Sequence, residues 1–391
     1  MNLPAISFAY LRARPLATAL NLLLLALGIA TITLLLLATA QLEERMSTDA
    51  RGLDLVAGAK GSPMQLVLSA VYHLDAPTGN IPLADAQALS RSPAVKKAIP
   101  LALGDSYRGH RIVGTNHDYP AHYGAQLAAG RLWSAPMEVV LGAEVAAESG
   151  LAVGSTFAGA HGLSSGGDLH EQELFKVVGV LAAGGSVLDR LVLTSVESVW
   201  EVHEHGGAAE RKEITALLIQ YATPLAAATM PRQVNASASL QAASPAYESA
   251  RLFRMIGVGA DVLRAFGLVL VLVAGLSVFI ALLNALEDRR YDLAVMRMLG
   301  ASRAKLMGLM LIEGAALSAL GGIAGIALGH LFAEALGAAL KAAQQTTVTG
   351  WAWQPREWWL LALAVGVGIA AALLPAWRAY RTDVAPVLAE G

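Results

Sequence analysis

The sequence predicts a membrane protein with four transmembrane α-helices and a large α+β domain inserted between helices 1 and 2. The 391-residue chain is 55% hydrophobic and only 15% charged, whereas soluble domains carry about 25% charged residues. Four apolar stretches are long enough to cross a bilayer, and a long segment of mixed polarity separates the first two. The net charge of −2 indicates no broad basic surface, so no nucleic acid partner is expected.

The four predicted spans are residues 16–40, 265–286, 306–333 and 358–377. A hydrocarbon core of about 30 Å needs roughly 20 helical residues, and each stretch meets this length. The first stretch could instead be a signal peptide cleaved near Ala38-Thr39-Ala40. Signal peptides have apolar cores of only about 7–15 residues, so we favour a retained span.

Lysine and arginine near the ends of the spans predict the orientation, because cytoplasmic loops are enriched in these residues. Residues 1–15, the loop 287–305 and the tail 378–391 are therefore predicted to be cytoplasmic. The segment 41–264 and the loop 334–357 are predicted to face outward. The residues behind this assignment are Arg12, Arg14, Arg289, Arg290, Arg297, Arg303, Lys305, Arg378 and Arg381, against only Lys341 and Arg356 in the outer loop.

The inserted domain is predicted to mix strands and short helices. Runs such as HRIVGT (110–115), EVVLG (138–142), FKVVGVL (175–181) and RLVLTS (190–195) are typical of strands. A short helix is predicted to end at Gly150, and Thr194 with Glu197 fits a capping box. The segments next to spans 1 and 2 could extend those helices as a stalk, or could be flexible linkers.

Small residues and tryptophans mark the other features of the spans. Gly321, Gly325 and Gly329 lie four residues apart in GGIAGIALG, so they share one helix face on which a second helix can approach closely. This face could form a dimer contact or an intrachain contact. Four tryptophans flank the outer end of span 4 and predict an interfacial aromatic belt: Trp351, Trp353, Trp358 and Trp359.

The segment EDRRYDLAVMRMLGAS (287–302) predicts a short amphipathic helix in the loop between spans 2 and 3. Its apolar face would contain Tyr291, Ala294, Val295, Met298 and Leu299. Arg289, Asp292 and Arg297 would lie on the polar face, where Leu293 and Met296 would be exposed apolar residues. Such a surface could dock a cytoplasmic partner, or the helix could simply anchor the hairpin at the interface. Gly300 would stop the helix, and Ser302 would cap the next one.

This segment, continued by RAKLMGLMLIEG and the glycine-rich span, resembles the signature of FtsX/MacB-type ABC transporter permeases. The end PAWRAYRTDVAPVLAEG and the start FAYLRARPLATALNLLLLALGIA are similar to the corresponding family segments. The inserted domain resembles the family's periplasmic core through residues 130–157 and 175–181. Asp292 stands where the family usually has Glu, and Gly314 stands where it usually has Ala.

The resemblance implies a permease of the bacterial inner membrane that couples ATP hydrolysis to movement of its periplasmic domain. The helix would dock on a separate cytoplasmic ABC ATPase, which would hold ATP and Mg, because no G-x-x-x-x-G-K-[ST] motif occurs here. The chain itself is therefore not expected to be an enzyme, to bind a cofactor or to have catalytic residues. The residues expected to couple to the ATPase are Tyr291, Asp292, Leu293, Val295, Met296, Arg297, Leu299 and Gly300.

The resemblance also implies a second permease copy, with a homodimer favoured, contact with membrane lipid, and a periplasmic adaptor or substrate-binding protein as a further partner. Export and extraction of a cargo both fit this family. Alternatives are an FtsX-like, non-transporting regulator of a cell-wall hydrolase, a lipoprotein-releasing permease and metal-linked transport. These alternatives stay open at the level of sequence.

Two further groups of polar residues are candidates for functional roles. Glu313 lies within span 3, where a charge is costly; it could be protonated, or paired with an arginine at the cytoplasmic face. A structural or coupling role is favoured over proton coupling. In the inserted domain His117, His122, His203 and His205 could hold a metal ion. Solvated surface histidines are the favoured interpretation, so no metal site is expected.

Overall fold

The computed structural model describes residue 12 and residues 15–162, 169–203, 212–342 and 348–381. The chain divides into two compact units. One unit is Glu43–Met255, and we call it the outer unit. The other combines Met1–Leu42 with Ile256–Gly391 and is called the membrane unit.

The described elements follow one another along the chain. They are α1 (Pro15–Asp49), β1 (Leu55–Ala59), α2 (Pro63–Ala70), β2 (Ile81–Pro82), α3 (Leu83–Ser90), β3 (Val95–Tyr107), β4 (His110–Thr115), α4 (Asp118–His122), β5 (Leu127–Gly130), β6 (Glu138–Leu141), α5 (Ala143–Ser149), β7 (Thr156–His161), β8 (Leu169–Leu181), a 3-10 turn (Val187–Arg190), β9 (Val192–Ser195), α6 (Val196–His203), β10 (Glu213–Ile214), β11 (Ala216–Tyr221), α7 (Pro224–Asn235), β12 (Leu240–Ala243), α8 (Pro245–Asp288), α9 (Arg290–Met298), α10 (Arg303–Ala342) and α11 (Glu357–Arg381).

The outer unit is built on a mixed sheet with the strand order β12-β1-β11-β3-β4-β9-β6-β8-β5, and β7 pairs with β3 and β8. Most neighbours are antiparallel, but β4 pairs with β9 in parallel, with Val113 opposite Leu193. β6 and β8 are also parallel. All four predicted strand runs are strands, because their Val and Leu side chains pack into the core. The predicted α+β class is confirmed.

Two apolar clusters hold the outer unit together. One packs β1, β3, β11 and β12 against α3, α6 and α7, with Leu217 and Ile219 at its centre. The other packs α5 on β4, β6, β8 and β9, around Phe175 and Val177. Gly150 ends α5 in the left-handed conformation with φ 72°, as its lack of a Cβ predicts.

The capping box predicted at Thr194 is wrong by one residue. The backbone N–H of Ser198 donates to the Ser195 hydroxyl at 3.2 Å, so Ser195 caps α6. Thr194 is still part of β9, and its hydroxyl donates instead to the Glu138 carbonyl at 2.8 Å. The Thr194 side chain therefore binds within the sheet and does not cap α6.

In the membrane unit, α1, α8, α10 and α11 are each long and apolar enough to cross a bilayer. α1 continues to Asp49 and α8 starts at Pro245. The segments that flank the first two predicted spans are therefore helical and are not irregular linkers.

The glycine face of α10 packs against α1 within the chain. A Cβ added at Gly321 would meet Leu25, one at Gly325 would meet Ile29, and one at Gly329 would meet Thr33. Each contact would be 2.9 Å or closer, which is too short for a real Cβ. These glycines therefore let the α10 backbone approach α1 closely, beside the carbonyls of Ala26 and Ala30 at Gly325 and Gly329. Of the two sequence-based alternatives, the structure contains the intrachain contact.

Candidate coupling surface

α9 is a nine-residue helix that connects α8 to α10. Its start is marked by Arg289, directly after α8 ends. Its end is set by Gly300, which adopts φ 95°, while the Ala301 N–H donates to the Met296 carbonyl at 3.0 Å. Ser302 then caps α10 by accepting a hydrogen bond from the Lys305 N–H at 3.3 Å. The predicted helix stop and cap are both present.

The inner side of α9 packs on the ends of α10 and α11. Leu293 and Ala294 are fully buried. Leu293 belongs to an apolar cluster whose other buried members come from α8, α10 and α11 and from the turn between α9 and α10: Leu286, Ala301, Leu306, Leu309, Met310, Ala376 and Ala379. α9 is therefore packed onto the bundle as part of its core.

A buried ion pair lies beside this cluster. The Arg289 guanidinium donates to both carboxylate oxygens of Glu313, at 3.1 and 3.3 Å. The two side chains are only 8% and 4% exposed. Removing two charges from water is costly, and their mutual attraction offsets this cost only while both stay paired. The sequence left two alternatives for Glu313, a protonated carboxyl group or a pair with an arginine. The structure contains the pair with an arginine.

This ion pair explains why the predicted rotation of α9 is wrong. The sequence pattern placed Arg289, Leu293 and Met296 on the exposed polar side. These three residues do share a face, at spacings of four and three, but the face points into the bundle because Arg289 reaches Glu313. Leu293 is consequently buried and Met296 is partly buried.

The exposed face of α9, together with the two residues that follow the helix, consists instead of Arg290, Tyr291, Asp292, Met298, Leu299 and Gly300. Its apolar members are well exposed: Tyr291 is 55% exposed, Met298 61% and Leu299 82%. Asp292 and Arg290 add one charge of each sign, and Val295 and Arg297 are half-buried. This surface combines large apolar side chains with charges on a rigidly packed helix, which suits docking of a protein partner.

The exposed face keeps only part of the predicted coupling set. Tyr291, Asp292, Leu299 and Gly300 are exposed, whereas Leu293 is buried. Met298, which was not in the predicted set, is exposed. The signal for Met298 was present, because it follows Tyr291 by seven residues and so lies on the same face.

The histidines of the outer unit do not converge on a metal site among the residues that the structure describes. The Nε2 atom of His117 lies 2.9 Å from the Trp133 carbonyl. The Nε2 atom of His122 lies 2.7 Å from the Arg51 carbonyl. Both rings use this nitrogen to bind backbone. The His203 side chain and His205 lie outside the described residues.

A buried polar group around His73 was not anticipated from the sequence. Nε2 of His73 lies 2.9 Å from the hydroxyl oxygen of Tyr119. Burial, together with the nearby charges of Arg111 and Arg190, lowers the pKa of His73 well below its usual range. Burial also lowers the pKa of Arg111 to about 10. His73 is therefore neutral in the folded outer unit, with a pair of arginines disfavouring its protonation.

Two family models match the chain. The MacB-like periplasmic core domain matches residues 18–264, and the FtsX-like permease C-terminal domain matches residues 264–384. The crystal structure of the periplasmic region of MacB from Actinobacillus actinomycetemcomitans is 14% identical, with a TM-score of 0.35 over 52% of this chain and 95% of that chain. The extracellular domain of the noncanonic ABC-type transporter YknZ from Gram-positive bacteria is 13% identical, with a TM-score of 0.31 over 49% of this chain and 98% of that one. No curated protein matches the chain.

Proposed function

Because the chain belongs to the family of FtsX-like permeases with a MacB-like periplasmic core domain, we propose that it is the permease subunit of an ABC transporter. As a member of this family it is a non-enzymatic membrane protein with a periplasmic domain. In the proposal it resides in the bacterial inner membrane. A separate cytoplasmic ATPase binds ATP and Mg²⁺, and the permease passes the resulting movement outward to export or extract a cargo.

The observation that carries this proposal is the exposed face of α9. The charge pattern predicts that this helix is cytoplasmic, on the side where ATP is available. Tyr291, Met298 and Leu299 offer apolar contacts to a partner, and Asp292 offers a charge. Asp292 and Leu299 are seven positions apart and both exposed, so a charge and a large apolar side chain lie side by side, whereas a helix that only anchors a hairpin has its charges and its apolar side chains on opposite faces.

The packing of α9 supplies a route for the movement. Leu293 is fully buried against α10 and α11, and Arg289 holds Glu313 of α10. A partner that displaces α9 must therefore displace α10 and α11 as well, or break a buried ion pair. Rigid, contiguous elements of this kind can transmit displacement between two sides of a membrane.

A second copy of the permease fits an exposed apolar stripe on α8. The stripe repeats every three or four residues and so follows one face of the helix: Val258, Val262, Phe266, Val269, Val273, Leu276 and Ile280. Its first two members precede the predicted span, where lipid tails would not cover them. The same helix of a second copy has the same direction and length, so the two stripes can match along their whole extent.

The match to a MacB-like core over residues 18–264 supports transport over the alternative of a non-transporting hydrolase regulator. Release of a lipoprotein remains one form that extraction of a cargo could take. Membrane lipid and a periplasmic adaptor or substrate-binding protein complete the proposed set of partners.

Co-purification with the ATPase tests the coupling role. We expect the double variant Tyr291→Asp, Met298→Asp to insert into the membrane normally and to lose the ABC ATPase co-expressed from its own gene cluster. The matched control is Leu225→Asp, which changes an apolar residue on α7 of the outer unit that is 72% exposed. Retention of the ATPase by the double variant at the level of the control would refute docking on α9.

A further inference from the structure

The loop 348–357, which we call the outer strap, is held closely against α10. Cβ atoms added at Gly337 and Gly350 would overlap the carbonyl oxygens of Val348 and His330. Only residues without a side chain permit this approach. The strap is therefore docked on the helix along part of its length.

Side chains of α1 and α10 also bind the strap backbone. From α1, Gln41 donates to the Thr349 carbonyl at 2.8 Å and accepts from the Thr349 N–H at 2.9 Å. From α10, Glu334 accepts from the Gly350 N–H at 2.8 Å and from the Thr349 hydroxyl at 3.1 Å. Two helices of the membrane unit are thus joined through Thr349, and α10 also binds Gly350.

His330 and Glu357 form the third attachment. Glu357, the first residue of α11, is fully buried and lies 2.9 Å from Nε2 of His330. Its other oxygen accepts from the Gln354 N–H at 2.9 Å. Nδ1 of His330 faces the Gly350 carbonyl. The Trp353 ring stacks on the imidazole at an interplanar angle of 12° and screens the pair.

Both ring nitrogens of His330 therefore face oxygen atoms that accept hydrogen bonds. A neutral imidazole carries only one N–H, so it can satisfy only one of these oxygens. The second hydrogen bond requires one more proton on the imidazole. If that proton leaves, the lone pair of Nε2 faces a buried carboxylate, which is unfavourable.

We propose that the outer strap is a proton-dependent latch, in which one exchangeable proton held between His330 and Glu357 keeps residues 348–357 docked on α1, α10 and α11. The proton is held at low pH and is lost as the pH rises, so high pH releases the strap. Of the other described charged groups near the strap, Glu334 faces its backbone from α10, and Arg356 is exposed. α1 contributes the uncharged Gln41. The latch does not depend on the proposed function.

Amide hydrogen exchange of the full-length protein in lipid nanodiscs, between pH 6 and pH 9, tests the latch. Exchange rates of a peptide covering the strap are divided by those of the same peptide when unstructured, which removes the intrinsic pH dependence. We expect protection of the Thr349 and Gly350 amides to fall with rising pH, by at most about tenfold per pH unit for the release of one proton.

Three variants separate the latch from simple packing. His330→Gln removes the imidazole, and Glu357→Gln removes the carboxylate that favours the doubly protonated ring, so in both variants protection should not vary with pH between 6 and 9. Glu334→Gln should weaken protection at every pH but keep its pH dependence. Protection that is independent of pH in the unmodified protein, or a pH dependence that survives in either His330→Gln or Glu357→Gln, would overturn the proposal.

Discussion

α10 takes part in two pairs that each join a buried carboxylate to a basic side chain, and the basic residue differs between them. At the end that packs on α9, Arg289 holds Glu313 at 3.1 Å. At the end that packs on the outer strap, His330 holds Glu357 at 2.9 Å. Arginine stays protonated at any physiological pH, whereas histidine changes charge within that range.

This difference teaches how one helix can combine a permanent connection with an adjustable one. The arginine pair fixes α9, which must transmit force under all conditions if it is the coupling helix. The histidine pair fixes a loop on the opposite side, where the pH of the surroundings can vary. The type of base therefore decides which end of the helix can respond to protons.

The largest expected effect comes from breaking the arginine pair. Arg289→Ala removes the guanidinium that binds the buried Glu313 carboxylate at 3.1 Å, and breaking a buried ion pair by removing one member costs about 3–5 kcal/mol. The double variant Arg289→Met, Glu313→Leu removes both charges and should recover most of the stability. Thermal unfolding in nanodiscs measures both; equal stability of the single variant and the unmodified protein would contradict the cost assigned to breaking the Arg289–Glu313 pair.

Exchanging the basic residues of the two pairs should exchange the pH dependence of the two attachments. His330→Arg should keep the outer strap protected at every pH. Arg289→His should make the packing of α9 depend on pH, by at most about tenfold in opening per pH unit. The chain has no cysteine, so labelling of a single Leu293→Cys thiol reports the opening of α9.

The control for this exchange is the Leu293→Cys protein with Arg289 intact. The ratio of labelling rates, with and without Arg289→His, cancels the pH dependence of the reagent. We expect that ratio to rise with pH. A constant ratio would show that Arg289 holds α9 by its shape and not by its charge.

The smallest effect is expected at His73, a buried histidine whose partner is a tyrosine and not a carboxylate. Its folded pKa lies well below the unfolded value of about 6.5. The unfolded chain therefore binds more protons, and stability contributed by His73 is lost as the pH falls below about 6.5, by up to about 1.4 kcal/mol per pH unit. The attachment of the outer strap through His330 is expected to change in the opposite sense, because it weakens as the pH rises.

Unfolding of the full-length protein between pH 5 and pH 8 tests this contrast. His73→Gln should flatten the loss of stability on the acid side of pH 6.5 and leave the values above pH 7 parallel to those of the unmodified protein. If stability falls below pH 6.5 as steeply in His73→Gln as in the unmodified protein, His73 is already accessible to protons in the folded outer unit.

The sequence predicted what depends on local composition. Span lengths follow from apolar runs, and the end of α9 follows from Gly300, whose φ of 95° disfavours other residues. The rotation of α9 could not be predicted, because it depends on Arg289 reaching a carboxylate 24 positions further along the chain. A period of 3.6 defines two faces of a helix but does not say which one is buried when both contain apolar residues.

The outer strap was also beyond prediction, for a different reason. Its docking uses backbone groups of Thr349 and Gly350, which every residue carries and which leave no mark in the sequence. Glu357 gave no signal either, since a carboxylate just before a predicted span can be hydrated and needs no protein partner. The sequence contained nothing to link it with His330 across two helices.

The glycine face of α10 has a mechanical consequence. At Gly321, Gly325 and Gly329 the backbone of α10 touches α1 with no side chain of its own in between. On the α1 side the contact is made by the Ala26 and Ala30 carbonyls and by the side chains of Leu25, Ile29 and Thr33. α10 contributes backbone alone, so it has no rotamer there that could change to absorb a sideways push. Along this line α1 and α10 should behave as a single beam that stays stiff across its width, and the cheap relative motion left to them is sliding along their shared groove.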